Sequence, residues 1–216
     1  MMLEKIFPKV HQEGYKFLAI SVILTLILWS ISDFFGFIFT LITIWVYYFF
    51  RDPERIIIQD KNYLVSPADG TISSIAEVNG PIELGLESKK FTRVSIFMNI
   101  FNCHVNRAPS SGEIEDIFYK PGKFLNASLD KASEENERNY FKIKDPHNND
   151  IIVVQIAGLV ARRIVCESNK DQELKQGDRI GMIRFGSRAD IYYENYEPLV
   201  KVGQKAISGE TLLAKK

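Results

Sequence analysis

The stretch Ile151-Ile152-Val153-Val154-Gln155-Ile156-Ala157 has the composition of a buried β-strand, because five of its residues are β-branched and only Gln155 is polar. Val94–Met98 has the same character, and Arg163–Cys166 and Arg179–Phe185 are also of strand length. Turn signals separate these stretches: Asn79-Gly80-Pro81, Ser111-Gly112, Pro121-Gly122, Gln176-Gly177-Asp178, Val202-Gly203 and Ser208-Gly209. We therefore predict a mainly β soluble domain, antiparallel and of barrel or sandwich type.

One part of this domain differs from the rest in its amino-acid composition. Between Pro121 and Asn149 the sequence is polar, and residues 128–140 read Ser-Leu-Asp-Lys-Ala-Ser-Glu-Glu-Asn-Glu-Arg-Asn-Tyr. So few apolar residues cannot bury much surface. We predict a short exposed helix or a mobile loop for Ser128–Tyr140.

The N-terminal part is strongly apolar, and Asp33 is the one charged residue between Phe17 and Phe50. As a single helix these residues would extend about 50 Å, which exceeds a hydrocarbon core of roughly 30 Å. A helical hairpin fits better, with its turn at Asp33 and Gly36. A cleaved signal peptide is disfavoured because a second apolar run follows the first at once. A helix pair lying in one leaflet remains an alternative to a spanning hairpin.

The charges around the hairpin predict its orientation. Basic residues flank both ends and favour the cytoplasmic side of a cell membrane: Lys5, Lys9, Lys16, Arg51 and Arg55. We predict a cytoplasmic segment at residues 1–16, a membrane-associated hairpin at 17–50 and a cytoplasmic domain at 51–216.

The overall composition excludes one class of partner. The 216 residues include 27 Lys and Arg and 27 Asp and Glu, so the net charge is zero. A nucleic-acid partner is therefore not expected. The two cysteines, Cys103 and Cys166, are expected to be reduced thiols.

Three segments place chemically competent side chains in turn-rich or apolar surroundings. Residues 66–70 (SPADG), 97–109 (FMNIFNCHVNRAP) and 184–188 (RFGSR) supply Asp69, His104 and Ser187. A carboxylate that orients a histidine, which in turn deprotonates a serine, is recognised by geometry and not by chain order. Alone the three residues are weak support, since Asp69 could be a turn residue, His104 a buried structural histidine and Ser187 part of a plain turn.

Five longer segments, taken in their order along the chain, indicate a protein family far more specifically than these three residues do. SPADG (66–70), FMNIFNCHVNRAP (97–109), YKPGKFLNASLDKASEENERN (119–139), GLVARRIVC (158–166) and MIRFGSRAD (182–190) resemble successive motifs of the short-form phosphatidylserine decarboxylase family. The family is defined by a Gly-Ser bond near the C-terminus, which is Gly186-Ser187 here. The long form has Leu-Gly-Ser-Thr at this place, where this chain has Phe-Gly-Ser-Arg.

The resemblance implies a self-cleaving lyase. Ser187, activated by His104 with Asp69 as the orienting carboxylate, would attack the Gly186 carbonyl and split the chain into residues 1–186 (the β chain) and 187–216 (the α chain). Ser187 would become a covalent pyruvoyl group, the cofactor, which forms a Schiff base with the substrate. The reaction would convert phosphatidylserine into phosphatidylethanolamine and carbon dioxide. His104, with an ordinary pKa of about 6.5, would also serve as proton donor.

The same resemblance defines the expected partners. They are the phosphatidylserine substrate, the lipid bilayer and the heterodimer that the two chains form, and no metal ion is expected. A guanidinium binds phosphate and carboxylate in bidentate fashion, so Arg107 and Arg188 are candidates for substrate binding, with Arg162 and Arg163 as further ones.

Two alternatives differ in substrate or class. An archaetidylserine-type lipid would undergo the same chemistry, and the sequence does not decide the lipid tail. A lipoyl or biotinyl carrier module has half-motifs similar to Ser66–Ile72 and Val202–Leu212, with Lys131 as the carrier lysine. Lys131, however, lies in a polar stretch and not in the tight hairpin that a carrier lysine requires.

Overall fold

The protein is described by a computed structural model that covers residues 7–125, 135–158, 163–184 and 187–216. The chain forms two compact units, of which the first ends at Glu54 and the second runs from Arg55 to Lys216. Gly186, Phe185, Arg162 and Lys131 lie outside the described residues, and so does most of the polar segment that begins at Ser128.

Two apolar helices dominate the first unit. Its elements in chain order are β1 (Lys9–Val10), a short 3₁₀ helix (Gln12–Gly14), α1 (Tyr15–Ile31), α2 (Asp33–Phe49) and β2 (Arg51–Asp52). The break between the helices is Ser32, whose backbone is extended. β1 and β2 pair in antiparallel register, with Lys9 opposite Asp52, and so join the two ends of this unit.

Polar side chains connect the two helices to each other. The hydroxyls of Thr25 and Thr43 are 2.8 Å apart, and Trp29 Nε1 donates to Thr40 Oγ1 at 3.1 Å. Gly36 was predicted in the turn, but it lies within α2. A Cβ at Gly36 would come within 2.5 Å of the Trp29 ring, so the glycine permits close helix packing.

The outer surface of the helix pair is apolar. Large side chains are exposed along both helices, for example Leu26 at 66% and Phe34 at 67%. The segment Gln12–Ile31 is long and apolar enough to cross a membrane, whereas α2 has 17 residues and would span only about 26 Å. Apolar surface of this extent indicates association with a membrane.

The second unit consists of strands. In chain order they are β3 (Tyr63–Val65), β4 (Gly70–Asn79), β5 (Lys90–Met98), β6 (Val105–Arg107), β7 (Gly112–Lys120), β8 (Arg138–Lys144), β9 (Asp150–Ala157), β10 (Ile164–Cys166), β11 (Glu173–Leu174), β12 (Arg179–Ile183), β13 (Ser187–Tyr193), β14 (Glu197–Pro198), β15 (Lys205–Ala206) and β16 (Leu212–Lys215). A 3₁₀ turn, Ile82–Leu84, lies between β4 and β5.

The strands form one large sheet and two small ones. The large sheet has the order β11-β7-β8-β9-β13-β5-β4-β15, and the small sheets are β10-β12-β6 and β14-β16-β3. All their pairings are antiparallel. The prediction of a mainly β, antiparallel domain is confirmed, and the four predicted strands correspond to β5, β9, β10 and β12.

The large sheet is apolar on both faces near its centre. Ile151, Val153 and Ala157 of β9 belong to the main core, whereas Ile152, Val154 and Ile156 belong to a second cluster on the other face. This double burial explains why the strand is a nearly continuous apolar run. We call the side with the main core the inner face and the opposite side the outer face.

The expectation for Ser128–Tyr140 is wrong from Asn136 onward. Asn136 and Tyr140 are buried, and Arg138 begins β8. The Asn136 side chain makes hydrogen bonds with the backbone of Leu125 and Ala157, and Tyr140 packs into the outer-face cluster. Polar residues can be buried here because hydrogen bonds satisfy them.

Candidate active site

Ser187 begins β13, the strand between β9 and β5 in the middle of the large sheet. It lies opposite Met98 of β5 and Ala157 of β9. The following residues Ala189 and Ile191 belong to the main core, so alternation along the strand places Ser187 on the inner face as well. The residue is fully buried.

The Ser187 hydroxyl has a weak hydrogen-bond partner. Its Oγ lies 3.9 Å from Met98 Sδ, the one acceptor it has among the described residues. A thioether sulfur accepts hydrogen bonds poorly. The hydroxyl is therefore held away from water without a strong bond that would have to break before it reacts.

His104 is also fully buried, in the connection between β5 and β6. Its Nδ1 lies 3.0 Å from the Asn102 carbonyl oxygen. A proton on Nδ1 would make that contact a hydrogen bond and leave Nε2 as the basic nitrogen. The ring is thus oriented by the backbone of its own loop.

A backbone contact brings His104 beside the predicted cleavage segment. The Ile183 N–H donates to the His104 carbonyl oxygen at 3.3 Å. Ile183 ends β12, and Ser187 begins β13 four residues later. The connection that contains the predicted cleavage bond therefore starts next to His104 and ends beside Met98.

Asp69 has partners that the sequence did not indicate. Arg55 Nη2 donates to both carboxylate oxygens, at 2.9 and 2.8 Å, and the Ser208 N–H donates to Oδ1 at 2.8 Å. Among the described residues, Asp69 makes no hydrogen bond to His104. Arg55 carried only the signal of a basic membrane flank, and Ser208 only that of a turn.

Asp69 and His104 nevertheless belong to segments that are bonded to each other. The Pro67 carbonyl oxygen accepts from the Arg107 N–H at 2.9 Å and from Ser208 Oγ at 3.1 Å. Because Arg107 follows His104 by three residues, the loop that carries Asp69 is attached to the strand that follows His104.

A row of buried amides extends from this site through the main core. Asn139 Nδ2 donates to Gln155 Oε1 at 3.2 Å, and Gln155 Nε2 donates to Asn106 Oδ1 at 2.9 Å. Asn106 Nδ2 in turn lies 3.9 Å from Met98 Sδ, the same sulfur that contacts Ser187. In the sequence these amides have one visible signal, which is the single polar residue Gln155 in the apolar strand β9.

The predicted substrate-binding arginines occupy different environments. Arg107 is buried, and its Nη1 donates to the Gly177 carbonyl oxygen at 3.0 Å. Arg188 is buried on the outer face, opposite to Ser187, with Nε 2.6 Å and Nη2 2.8 Å from the two oxygens of Asp190. Arg163 is exposed, and its carbonyl oxygen accepts from the Arg184 N–H. Arg162 lies outside the described residues.

The outer face contains a cavity of about 550 Å³, bordered by Arg93, Arg138, Asp190 and Tyr192 among others. The charges of its wall are partly paired, since Glu83 lies 2.9 Å from Lys120 and 3.4 Å from Arg138. This cavity is on the opposite side of the sheet from Ser187. It is therefore separate from the arrangement of Ser187 and His104.

Comparison with known proteins gives a consistent result. The profile of the family described as phosphatidylserine decarboxylase matches residues 42–214. A phosphatidylserine decarboxylase proenzyme of Pelagibacter ubique (strain HTCC1062) is 72% identical over 215 residues, which is 100% of both chains. Proteins of the same name from Ruegeria pomeroyi and Cereibacter sphaeroides are 52% and 53% identical over 214 residues, covering 99% of this chain and 98% and 92% of theirs.

Proposed function

Because this chain belongs to the phosphatidylserine decarboxylase family, we propose that it removes the carboxyl group of phosphatidylserine as carbon dioxide and releases phosphatidylethanolamine. The observation that carries the proposal is the placement of Ser187. It is fully buried at the start of the central strand, at the end of a connection that begins beside His104. At a buried position the serine can attack the adjoining peptide carbonyl without competition from bulk water.

The first proposed step is cleavage of the chain by its own residues. His104 takes the proton of Ser187 Oγ, which attacks the Gly186 carbonyl carbon. The bond from that carbon to Ser187 N then breaks, the nitrogen takes the proton from His104, and an ester replaces the peptide bond. Loss of the Ser187 α-proton then breaks the bond between Cβ and Oγ. The products are a carboxylate at Gly186 and a dehydroalanine, which water converts into a pyruvoyl group and ammonia.

We propose that Asp69 contributes as a positioning residue. Its carboxylate is fixed by Arg55 and Ser208, and the loop that carries it is bonded to the strand after His104. Asp69 would then orient His104 by holding that strand in place. This arrangement keeps the predicted role of an orienting carboxylate without a direct hydrogen bond in the uncleaved chain.

The surroundings of Ser187 fit a pyruvoyl group. The position is buried, faces the inner core and has Met98 beside it, so the group would be shielded from water. When present, a pyruvoyl group supplies a ketone that acts as the electron sink for loss of carbon dioxide. In that reaction His104 would donate the proton that replaces the departing carboxylate.

We propose the following organisation at the membrane. Residues 17–50 form the membrane-associated hairpin, residues 1–16 precede it in the cytoplasm, and residues 51–216 form the catalytic domain on the cytoplasmic side. The basic residues that flank the hairpin support this orientation. Residues 1–186 and 187–216 would remain together as a heterodimer, with phosphatidylserine in the bilayer as substrate.

Two measurements test the proposal. The intact mass of the purified protein should show fragments of residues 1–186 and 187–216, the second with a blocked pyruvoyl end, whereas Ser187→Ala should stay a single 24.8 kDa chain. Phosphatidylserine in detergent should yield phosphatidylethanolamine with the cleaved protein only. Ser95→Ala is the matched control, because Ser95 is a buried serine of the adjacent strand β5.

Two results would contradict the proposal. An uncut wild-type chain would contradict the pyruvoyl mechanism. Cleavage without any decarboxylation would contradict the assignment of phosphatidylserine as the substrate. The carrier-module alternative has less support, since the similarity to the decarboxylase proenzymes extends over the full chain.

A further inference from the structure

We infer that the loop formed by residues 99–102, which we call the 99–102 turn, inserts its tip into the bilayer surface and so brings His104 to the membrane-bound substrate. The inference rests on the proposed function, because it concerns how a lipid substrate reaches the same site. Three observations support it.

The first observation is that three of the four backbone N–H groups of the turn are hydrogen-bonded within it. Asn102 Oδ1 accepts from the Asn99 N–H at 2.9 Å, and Asn99 Oδ1 accepts from the Phe101 N–H at 2.8 Å. The Asn102 N–H donates to the Asn99 carbonyl oxygen at 3.0 Å. Backbone groups that are bonded within the turn cost little when water is removed from around them.

The second observation is the exposure of the apolar tip. Phe101 keeps 60% of its surface exposed and Ile100 keeps 39%, while Cys103 and His104, which follow directly, are buried. The exposed surface of these two side chains does not stabilise the fold. Its transfer from water into the acyl-chain region of a bilayer is favourable. The turn therefore has a buried base and an apolar tip.

The third observation links the tip to the proposed catalytic base. His104 Nδ1 contacts the carbonyl oxygen of Asn102, which is the last residue of the turn. A lipid substrate keeps its acyl chains in the bilayer, so the headgroup can reach a buried site only if that site lies close to the interface. Insertion of Ile100 and Phe101 would place the site at that depth.

A labelling experiment tests insertion without depending on activity. In a Cys166→Ser background, a polarity-sensitive NBD dye is attached to Phe101→Cys, and for comparison to Ile82→Cys. Cys103 is buried and should not react, and Ile82 is 71% exposed in the turn before β5, at the opposite end of that strand. We expect vesicles of phosphatidylcholine and phosphatidylglycerol, which contain no substrate, to increase and blue-shift the emission at position 101 but not at 82.

Activity on two forms of substrate gives a second readout. Ile100→Ser/Phe101→Ser should cleave itself normally, because the His104 ring is oriented by the backbone carbonyl oxygen of Asn102, which both substitutions retain. Its rate on phosphatidylserine in vesicles should fall by about tenfold, as expected when large apolar side chains lose their burial. Its rate on a water-soluble short-chain phosphatidylserine should equal that of the wild type. Phe101→Leu should keep the vesicle rate, and so should Ile82→Ser.

The outcomes separate this inference from the proposed function. A wild-type protein that decarboxylates neither form of substrate overturns the proposed function, while the dye result still reports on insertion. An unchanged dye signal, or a double variant that is cleaved and equally active on vesicles, overturns insertion. A dye response that appears only when the vesicles contain phosphatidylserine would mean that the tip contacts one bound substrate molecule and not the bilayer. That result would also overturn insertion.

Discussion

Arg55 and Asp69 form an ion pair in which one guanidinium nitrogen, Nη2, lies within 2.9 Å of both carboxylate oxygens. The two side chains are only 13% and 12% exposed. Asp69 also accepts a hydrogen bond from the Ser208 N–H. The carboxylate thus connects the beginning of the second unit with residues close to the C-terminus.

Replacement of Arg55 should therefore slow self-cleavage. Arg55→Gln leaves the buried Asp69 carboxylate without its cation, which should lower the free energy of unfolding by about 3 kcal/mol. The fraction of uncut chain, followed by mass spectrometry during expression, should rise. Lys123→Gln is the control, because Lys123 and Glu135 form an exposed pair that contributes about 1 kcal/mol or less. Equal cleavage and stability in Arg55→Gln and wild type would show that the pair does not support the site.

We expect the volume of the Met98 side chain, and not its sulfur, to support cleavage at Ser187. Met98→Ala opens a space beside the Ser187 hydroxyl and should cost about 2–5 kcal/mol of stability, with slower cleavage. Met98→Leu keeps the volume, should cost less than about 1.5 kcal/mol, and should be cleaved at the wild-type rate. Urea unfolding of the Ser187→Ala forms and cleavage time courses measure the two effects. Loss of cleavage in a stable Met98→Leu protein would instead indicate a chemical role for the sulfur.

Asp150 should make stability depend on acid pH. Burial opposes ionisation of this carboxyl group, but hydrogen bonds from Lys89 and Lys144 and the charge of Lys142 outweigh burial and lower its pKa below the ordinary 3.8. A lowered pKa stabilises the folded state above the ordinary value, and this contribution disappears as the pH falls from 3.8 through the folded value. Asp150→Asn should thus be less stable than wild type at pH 7, with a difference that shrinks below pH 3.8.

Urea unfolding at pH 7, 5 and 3 measures that difference. Glu87→Gln, which removes an exposed carboxylate, should follow the wild type at every pH. A constant difference between Asp150→Asn and wild type across this range would contradict the assignment.

Gly181 should not tolerate a side chain. Its φ is +153°, and a Cβ would lie 2.1 Å from the Val165 carbonyl oxygen and 3.2 Å from Gln155 Nε2. Gly181→Ala should force β12 away from β10 and disturb the amide row, so we expect little soluble protein or a loss of several kcal/mol, about 3 or more. Gly85→Ala also requires a positive φ but meets no atom within 4 Å, and should cost about 1–2 kcal/mol. Thermal unfolding compares the two.

The long strands can be predicted from the sequence because the residues that define each of them are adjacent in the chain. β9 is recognisable since both of its faces are buried, and β5 since it is rich in apolar and β-branched residues. Strands of two residues such as β11 and β15 have no visible periodicity, and only their pairing with distant strands defines them. The polar segment before β8 was misjudged for the same reason, since the bonds that bury Asn136 come from residues 11 and 21 positions away.

The site was predictable in its residue types but not in its contacts. Ser187, His104 and Asp69 stand in motifs, whereas the partners of Asp69 are Arg55, 14 residues earlier, and Ser208, 139 residues later. No local pattern indicates a pairing at such separations. The neighbours of Met98 likewise come from β13 and β6, which only the folded sheet brings together.

Because β13 lies in the centre of the large sheet, unfolding of the cut protein should depend on protein concentration, which unfolding of the uncut chain does not. A fragment that starts at Ser187 would keep ladders to β5 and β9 on both sides and would supply β14, β15 and β16 as well. In the folded state these backbone hydrogen bonds would hold the two fragments together. Unfolded, they would diffuse apart, so the midpoint of unfolding would depend on protein concentration. Refolding would then be a second-order reaction, whereas the uncut precursor folds within a single chain.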